Sequence, residues 1–222
     1  MAFTDEMERF LRATAPEHDE IQSEMASYAA EHGFPIVGPD AGGVLRLLAR
    51  LTDARRVFEF GSGFGYSAYW FLAGMHEDGE VVLTEHDADE LEMAREFLDR
   101  AGLAHRAEFR EGDAMAIVDE YDGPFDVVLL DHEKERYAEG FRTVQEKVRP
   151  GGVVVTDNVV GGPFEFRDVL AHLEDGETLP DDEQAAGVVE YLRTVEENPG
   201  FEGSVLPVGS GLSVAVKVPS RW

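Results

Sequence analysis

The chain has 222 residues and no cysteine, enough for one domain with a full core and without disulfides, thiolate metal sites or a cysteine nucleophile. Asp and Glu total 46 against 19 Lys and Arg, a net charge of −27 spread along the whole chain, and only Lys134, Lys147 and Lys217 are lysines. Such a surface suits a salt-rich cytoplasm, repels nucleic acid at low salt and offers no basic stripe for RNA, and no apolar run is long enough to span a membrane.

The start, MAFTDEMERF, is acidic and lacks the basic and apolar regions of a signal peptide, so a cytoplasmic location is expected. Residues 1–53 read as an N-terminal helical cap on a core over 54–222, the two making a single domain over 1–222. The pattern predicts helices at 5–13, from Pro16 to about 31 and at 41–51, with breaks at Gly33-Phe34-Pro35 and a loop over 37–40. From Arg56 strands alternate with helices. The strands are 57–60, 80–84, 106–110, 125–130 and 152–156. The helices are 67–75, 88–101, 114–120, 137–148 and 164–173, with one more at 181–198. That alternation implies a parallel, doubly wound α/β sheet. The end differs: 205–208 and 212–218 alternate around Gly209-Ser210-Gly211, an antiparallel hairpin.

Residues 57–67, VFEFGSGFGYS, carry the first functional signal. A strand running into Gly61, Gly63 and Gly65 ahead of a helix makes a turn with bare backbone N–H groups, or simply a glycine-rich corner without a ligand. The spacing G-x-G-x-G departs from the dinucleotide fingerprint G-x-G-x-x-G. Glu59, inside the strand, would repel a pyrophosphate and attract a cationic or amino group. S-adenosylmethionine (SAM) meets both conditions better than a nicotinamide dinucleotide, so an NAD-dependent oxidoreductase is disfavoured.

Four further positions end strands at the same sheet edge. Glu85 can accept the two hydroxyls of a nucleoside ribose or stand as a surface acid. In Gly112-Asp113-Ala114, Asp113 can face an adenine or cap the next helix. Asp131 and Asp157-Asn158 follow the buried runs 127–130 and 153–155. Two carboxylates and an amide oxygen form a hard donor set that suits Mg²⁺, the alternative being that each caps its own loop. Lys134 is a candidate general base, since a lysine beside a cation can lose its proton whereas an arginine cannot; otherwise it pairs with Glu133 or Glu135. His132 can stack on the cofactor, and Tyr137 begins the core face of its helix.

Taken together these segments resemble the cation-dependent O-methyltransferases, the family of the catechol and caffeoyl-CoA enzymes. VFEFGSGFGYS is similar to the family's cofactor loop, LLDHEKERY to its metal-and-base segment, TDN to its second metal segment and LPVGSGLSVAVK to its closing hairpin. Asp-His-x-Lys-x-Arg-Tyr is close to the catechol enzyme's version, with Glu133 where that enzyme has Trp. The resemblance implies a Rossmann-like SAM-dependent methyltransferase fold, a seven-stranded mostly parallel sheet closed by an antiparallel hairpin. It implies SAM held by Val37, Glu59, Gly61, Gly63, Ser67, Glu85, Asp113, Ala114, Asp131 and His132. It further implies Mg²⁺ or a similar ion on Asp131, Asp157 and Asn158, and Lys134 with Asp131 as the catalytic pair. The implied acceptor is a small catechol-like hydroxyl compound, and a homodimer through the N-terminal helices is expected. Alternatives are the same chemistry on a hydroxylated tRNA base, or a SAM-binding protein without catalysis. The acidic stretch 161–187 has no clear equivalent in the resemblance.

Overall fold

The structure, a computed structural model, describes residues 5–219. The expected domain over 1–222 therefore extends, at residues 1–4 and 220–222, outside the described residues. Seven strands form one sheet: β1 (Arg56–Phe60), β2 (Glu80–Glu85), β3 (Ala107–Glu111), β4 (Phe125–Leu130), β5 (Val148–Thr156), β6 (Phe201–Leu206) and β7 (Leu212–Lys217). Their order is β3-β2-β1-β4-β5-β7-β6, with β7 alone running against the others. The chain starts at the centre of the sheet, winds outward through β2 and β3, then crosses back to β4 on the other side of β1. The crevice above β1 and β4 is thus the switch point, where open α/β sheets bind ligands.

Register decides what stands in that crevice. Phe60 is level with Thr84 of β2 and Leu130 of β4, and Leu130 with Thr156 of β5. The residues that come next, Gly61, Glu85, Asp131 and Asp157, are therefore delivered together at the carboxyl edge.

Nine helices cover the sheet among the described residues: α1 (Asp5–Thr14), α2 (Glu20–His32), α3 (Gly38–Leu51), α4 (Tyr66–Gly74), α5 (Ala88–Arg100), α6 (Ala114–Ile117), α7 (Tyr137–Val144), α8 (Phe166–Asp175) and α9 (Glu183–Glu196). Successive strand residues face opposite layers. Val57, Leu83, Leu129 and Val155 pack with Met25 of α2, Leu45 of α3 and Trp70 of α4. Phe58, Phe60, Val128 and Val154 pack with Phe141 of α7 and Tyr191 of α9. Both faces are covered, which is why the central strands read as unbroken apolar runs. Met25 and Leu45 are fully buried, so α2 and α3 are part of one layer.

Several boundaries differ from the sequence expectation. Helix α2 starts at Glu20, not Pro16, because Asp19 and Gln22 form a reciprocal capping box. Residues 38–40 are helical, with Pro39 in the first turn of α3, where its missing N–H costs nothing. The segment 114–120 splits into α6 and a 3₁₀ turn over Val118–Glu120. Helix α7 stops at Val144, and β5 begins at Val148 by pairing with Phe125 before a register shift. Helix α8 starts two residues late, at Phe166, because Phe164 bridges to Gly162. Strand β6 spans 201–206, not 205–208: Pro207 ends it, and Gly203 lets Val195 of α9 lie where a Cβ would come within 2.7 Å.

The amino edge is pinned by one acid. Asp126 Oδ2 accepts from Arg55 N and Arg56 N, both at 2.8 Å. Its Oδ1 accepts from Arg149 Nε, and Arg149 also donates to Thr52 O. This joins the starts of β1, β4 and β5. Asp126→Ala is expected to lower unfolding stability by about 2–4 kcal/mol, measured by urea denaturation in molar KCl. SAM affinity at the opposite edge should stay unchanged.

Candidate active site

The turn after β1 is shaped by what passes it. Gly61 has φ 79°, and a Cβ there would sit 2.3 Å from the Asp131 carbonyl oxygen. Asp131 N in turn donates to Phe60 O at 2.9 Å. Gly63 and Gly65 also have positive φ, and Gly65 opens α4 with the backbone of α5 at Ala94 close behind it. Glu85 is held by backbone donors on both oxygens: Gly63 N to Oε2 at 2.9 Å, and His86 N and Asp87 N to Oε1 at 2.7 and 3.2 Å.

A cavity of about 520 Å³ opens above this turn. Val37, Gly61, Gly63, Ser67, Glu85, Asp131, Lys134, Asp157 and Asn158 all line it. A second cavity of about 330 Å³ continues from it, sharing Gly61, Glu85 and Asp131 and adding Asp113, Ala114 and His132. The expected site residues therefore meet in one cleft, with one exception. Glu59 is fully buried and lines neither cavity.

Charge in the cleft is confined and costly. Burial pushes the Glu59 carboxyl up to about 8; Ser67 beside it works the other way and Asp131 adds to the rise. Neither Glu59 oxygen has a hydrogen-bond partner. Burial also raises Asp131 and Asp157, and for Asp157 the Asp131 carboxylate raises it further. Asp157 Oδ1 is buried and unpartnered. Burial holds the His132 imidazole neutral, down to about 4, with both ring nitrogens unpartnered and the ring 5.3 Å from Phe60 and 5.4 Å from Tyr137.

Lys134 lies on a 3₁₀ turn over Lys134–Arg136, and its Nζ donates to Asn158 Oδ1 at 2.9 Å. Neither Glu133 nor Glu135 takes it; Glu133 pairs with Arg136. Asn158 holds a positive φ of 56°, and the Tyr137 hydroxyl donates to Asp157 O at 3.1 Å, anchoring the second strand end from below. Asp113 is the N-cap of α6, accepting from Met115 N, and also bonds Arg136 Nη2 at 3.1 Å. Burial works against its charge, yet Arg136 and the cap hold it below the usual carboxylate range.

The donor set fits a divalent cation. Among the described residues no three His, Cys, Asp or Glu side chains converge as a metal cluster. The set here is two buried carboxylates and an amide oxygen, with Asp157 Oδ1 left unpartnered. The Asn158 oxygen, with two lone pairs, can accept from Lys134 and still face a cation. The glycine turn, with Gly61, Gly63 and Gly65 all at positive φ, likewise fits a polar cofactor, whereas Glu59, expected to meet its amino group, lies outside the cleft.

A family profile described as O-methyltransferase matches residues 13–218. The chain belongs to this family. A catechol O-methyltransferase of Mycobacterium tuberculosis is 34% identical over 82% of this chain and 78% of its own. One from Niastella koreensis is 36% identical over 59% of this chain and 62% of its own. Caffeoyl-CoA O-methyltransferase 1 of Arabidopsis thaliana is 25% identical over 97% of this chain and 85% of its own. Among solved structures, TomG of Streptomyces achromogenes, in complex with SAM, superposes with a TM-score of 0.82 at 29% identity, covering 96% of each chain. The O-methyltransferase of Bacillus cereus, in complex with SAH, gives 0.80 at 26% identity, covering 96% of this chain and 97% of its own. The chain is thus a SAM-dependent O-methyltransferase of the catechol and caffeoyl-CoA type, and the sheet order above is that fold.

Two contributors escaped the sequence reading. Arg136 sits in the DHEKERY segment, but nothing in spacing links it to Asp113. Gly187 stands in the second turn of α9, where a Cβ would come 2.3 Å from the Lys134 carbonyl oxygen and 2.5 Å from Glu135 Cα. An isolated glycine inside a helical pattern was the available signal. Part of the acidic stretch 161–187 thereby backs the Lys134 turn.

Gly187→Ala should displace that turn, lowering turnover by about tenfold or more with SAM affinity nearly kept, the sensitivity expected of a misplaced group. Steady-state rates beside calorimetric SAM titration check this. Glu59 yields a pH test. Folded, it keeps its proton up to about pH 8; unfolded, it releases it near 4.5. The cofactor-free protein therefore loses stability as pH rises through that window. Glu59→Gln should remove Glu59's share of the loss, while the raised Asp131 and Asp157 keep theirs, gaining on the order of a few kcal/mol over the parent at pH 8 and little at pH 4.5. Urea midpoints at the two pH values measure it.

Proposed function

We propose that the enzyme is divalent-cation-dependent and methylates one hydroxyl of a small acceptor carrying two vicinal oxygens, as in a catechol. The observation that supports this most is Lys134 Nζ standing 2.9 Å from Asn158 Oδ1, in the cavity that Asp131 and Asp157 also line.

In this reading Asp131, Asp157 and Asn158 hold the cation, for which Mg²⁺ best suits the oxygen donors. The Gly61–Gly63 backbone, Ser67 and Val37 seat the amino-acid end of SAM, and Glu59 lies beneath it. Glu85 accepts the ribose hydroxyls, while Asp113, Ala114 and His132 border the adenine. When bound, SAM supplies the electrophilic methyl group, and the cation supplies charge that lowers the pKa of the acceptor hydroxyl. Lys134 takes the hydroxyl proton at Nζ, which an arginine in its place would not do. No side chain need form a covalent intermediate. The protein's contribution is alignment of the acceptor oxygen with the methyl group and exclusion of competing geometry.

Lys134→Ala should cut turnover by roughly a hundredfold or more, the usual worth of a positioned base. SAM affinity should stay within a few fold. EDTA should abolish turnover and leave SAM binding in place. A large loss of SAM binding in Lys134→Ala, or full turnover in EDTA, overturns the assignment.

A further inference from the structure

The sheet has two edges, β3 and β6, and they are finished differently. Strand β3 is guarded as exposed edges usually are: it carries Glu108, Arg110 and Glu111, and Arg95 lies 4.3 Å over Phe109. Strand β6 has a single charge, Glu202, with no proline and no bulge, and residues 202–205 are all exposed. The charge pattern singles out the same place. From 203 to 222 there is no Asp or Glu, the longest acid-free run in a chain that has 46 of them. The next longest, 60–76, is largely buried, whereas 203–205, 207, 209 and 216 are exposed. Acid is thus withheld from most of one exposed strand in a chain of net charge −27.

Register identifies the free backbone groups. Val218 N donates to Gly200 O at 2.9 Å, and the β6–β7 pairing continues from there. In an antiparallel ladder every second residue bonds across. Residues 202, 204 and 206 therefore face β7, and the N–H and C=O of Gly203 and Val205 point outward. Among the described residues no other element bonds to these groups. Val205 is 42% exposed and, with Leu192, Val195 and Phe201, lines a groove of about 500 Å³ between α9 and β6. A second copy of β6 laid antiparallel, Ser204 opposite Ser204, satisfies the outward groups of both copies. It leaves Phe201 N on Asn198 O, where it already donates. Gly203 then lies opposite Val205, and the valine can enter the groove where the glycine has no side chain. The two Glu202 residues come to stand about 13 Å apart along the strands.

We propose that this edge is a self-association surface: β6 pairs antiparallel with β6 of a second copy about a two-fold axis at Ser204, extending one sheet through two molecules. A second copy is the occupant because a partner of the same net charge, −27, meets only Glu202 along this strand. The contact takes the place of the N-terminal helices as the dimer face.

The chain has no cysteine, so an introduced one reports the contact directly. Opposed residues of a non-hydrogen-bonded pair have Cα atoms about 4.5 Å apart, within the range of a disulfide. Full-length Ser204→Cys, oxidised with diamide in molar KCl, should become a covalent dimer on non-reducing denaturing electrophoresis. Val216→Cys, exposed on the neighbouring strand, should not. Sedimentation velocity of the parent in molar KCl, where net charge is screened, should show a dimer. Val205→Lys places on β6 the charge that guarded edges carry, and should raise the dimer dissociation constant by about tenfold or more with SAM binding kept. Leu51→Glu, at an exposed apolar position of α3, should leave the dimer intact. A monomeric parent, no covalent dimer with Ser204→Cys, or equal cross-linking of Val216→Cys overturns the proposal. So does a dimer that Leu51→Glu splits and Val205→Lys leaves whole.

Discussion

The structure depends on how closely β1 and β4 approach at their carboxyl ends. The Asp131 carbonyl oxygen occupies space that any side chain at position 61 would need, so the strand ends meet only because that residue is glycine. The backbone bond from Asp131 N to Phe60 O closes the contact. From this junction follow the turn into α4, the placement of Asp131 over the crevice and, through the register of β4 with β5, the nearness of Asp157. A methyl at Gly61 would therefore move the cofactor turn and an expected cation ligand in one step.

The second constraint is the concentration of acid in a closed space. Glu59, Asp131 and Asp157 are all pushed toward their neutral forms by burial. A protein selected for stability alone would not leave Glu59 and Asp157 Oδ1 unpartnered. Local rules broken in a core that otherwise obeys them mark a functional site. A group of opposite charge bound beside Asp131 and Asp157, which line the cavity, would offset their cost and so link ligand binding to stability. The supports are ordinary by contrast: Tyr137 under Asp157, Arg136 on Asp113, and the Gly187 gap that lets α9 reach the Lys134 turn.

Much of this was legible in the chain because the relevant signals are local. Apolar runs of strand length ending in Gly61, Glu85, Asp131 and Asp157 put those residues at one edge once the sheet is parallel, since every parallel strand delivers its carboxyl end to the same side. The alternation of strand and helix from Arg56 onward, and the glycine-centred hairpin at the end, carried the parallel sheet and its antiparallel closure, though not the strand order. Where the reading erred, a short-range interaction outweighed the pattern. The Asp19–Gln22 box delayed α2, Pro39 was accommodated within α3 rather than before it, and Pro207 cut β6 short while Gly203 extended it backward.

By itself, then, the sequence determined the fold class, the strand ends and the chemistry each could offer, because hydrophobic period and glycine placement act within a few residues. Only the tertiary structure decided which of those offers are taken up. It gave Lys134 to Asn158 rather than to its neighbouring glutamates and gave Asp113 both a cap and an arginine. It also sank Glu59 below the cleft. Each of these outcomes joins residues far apart in the chain, and such pairings are set by register and packing, which no local pattern encodes.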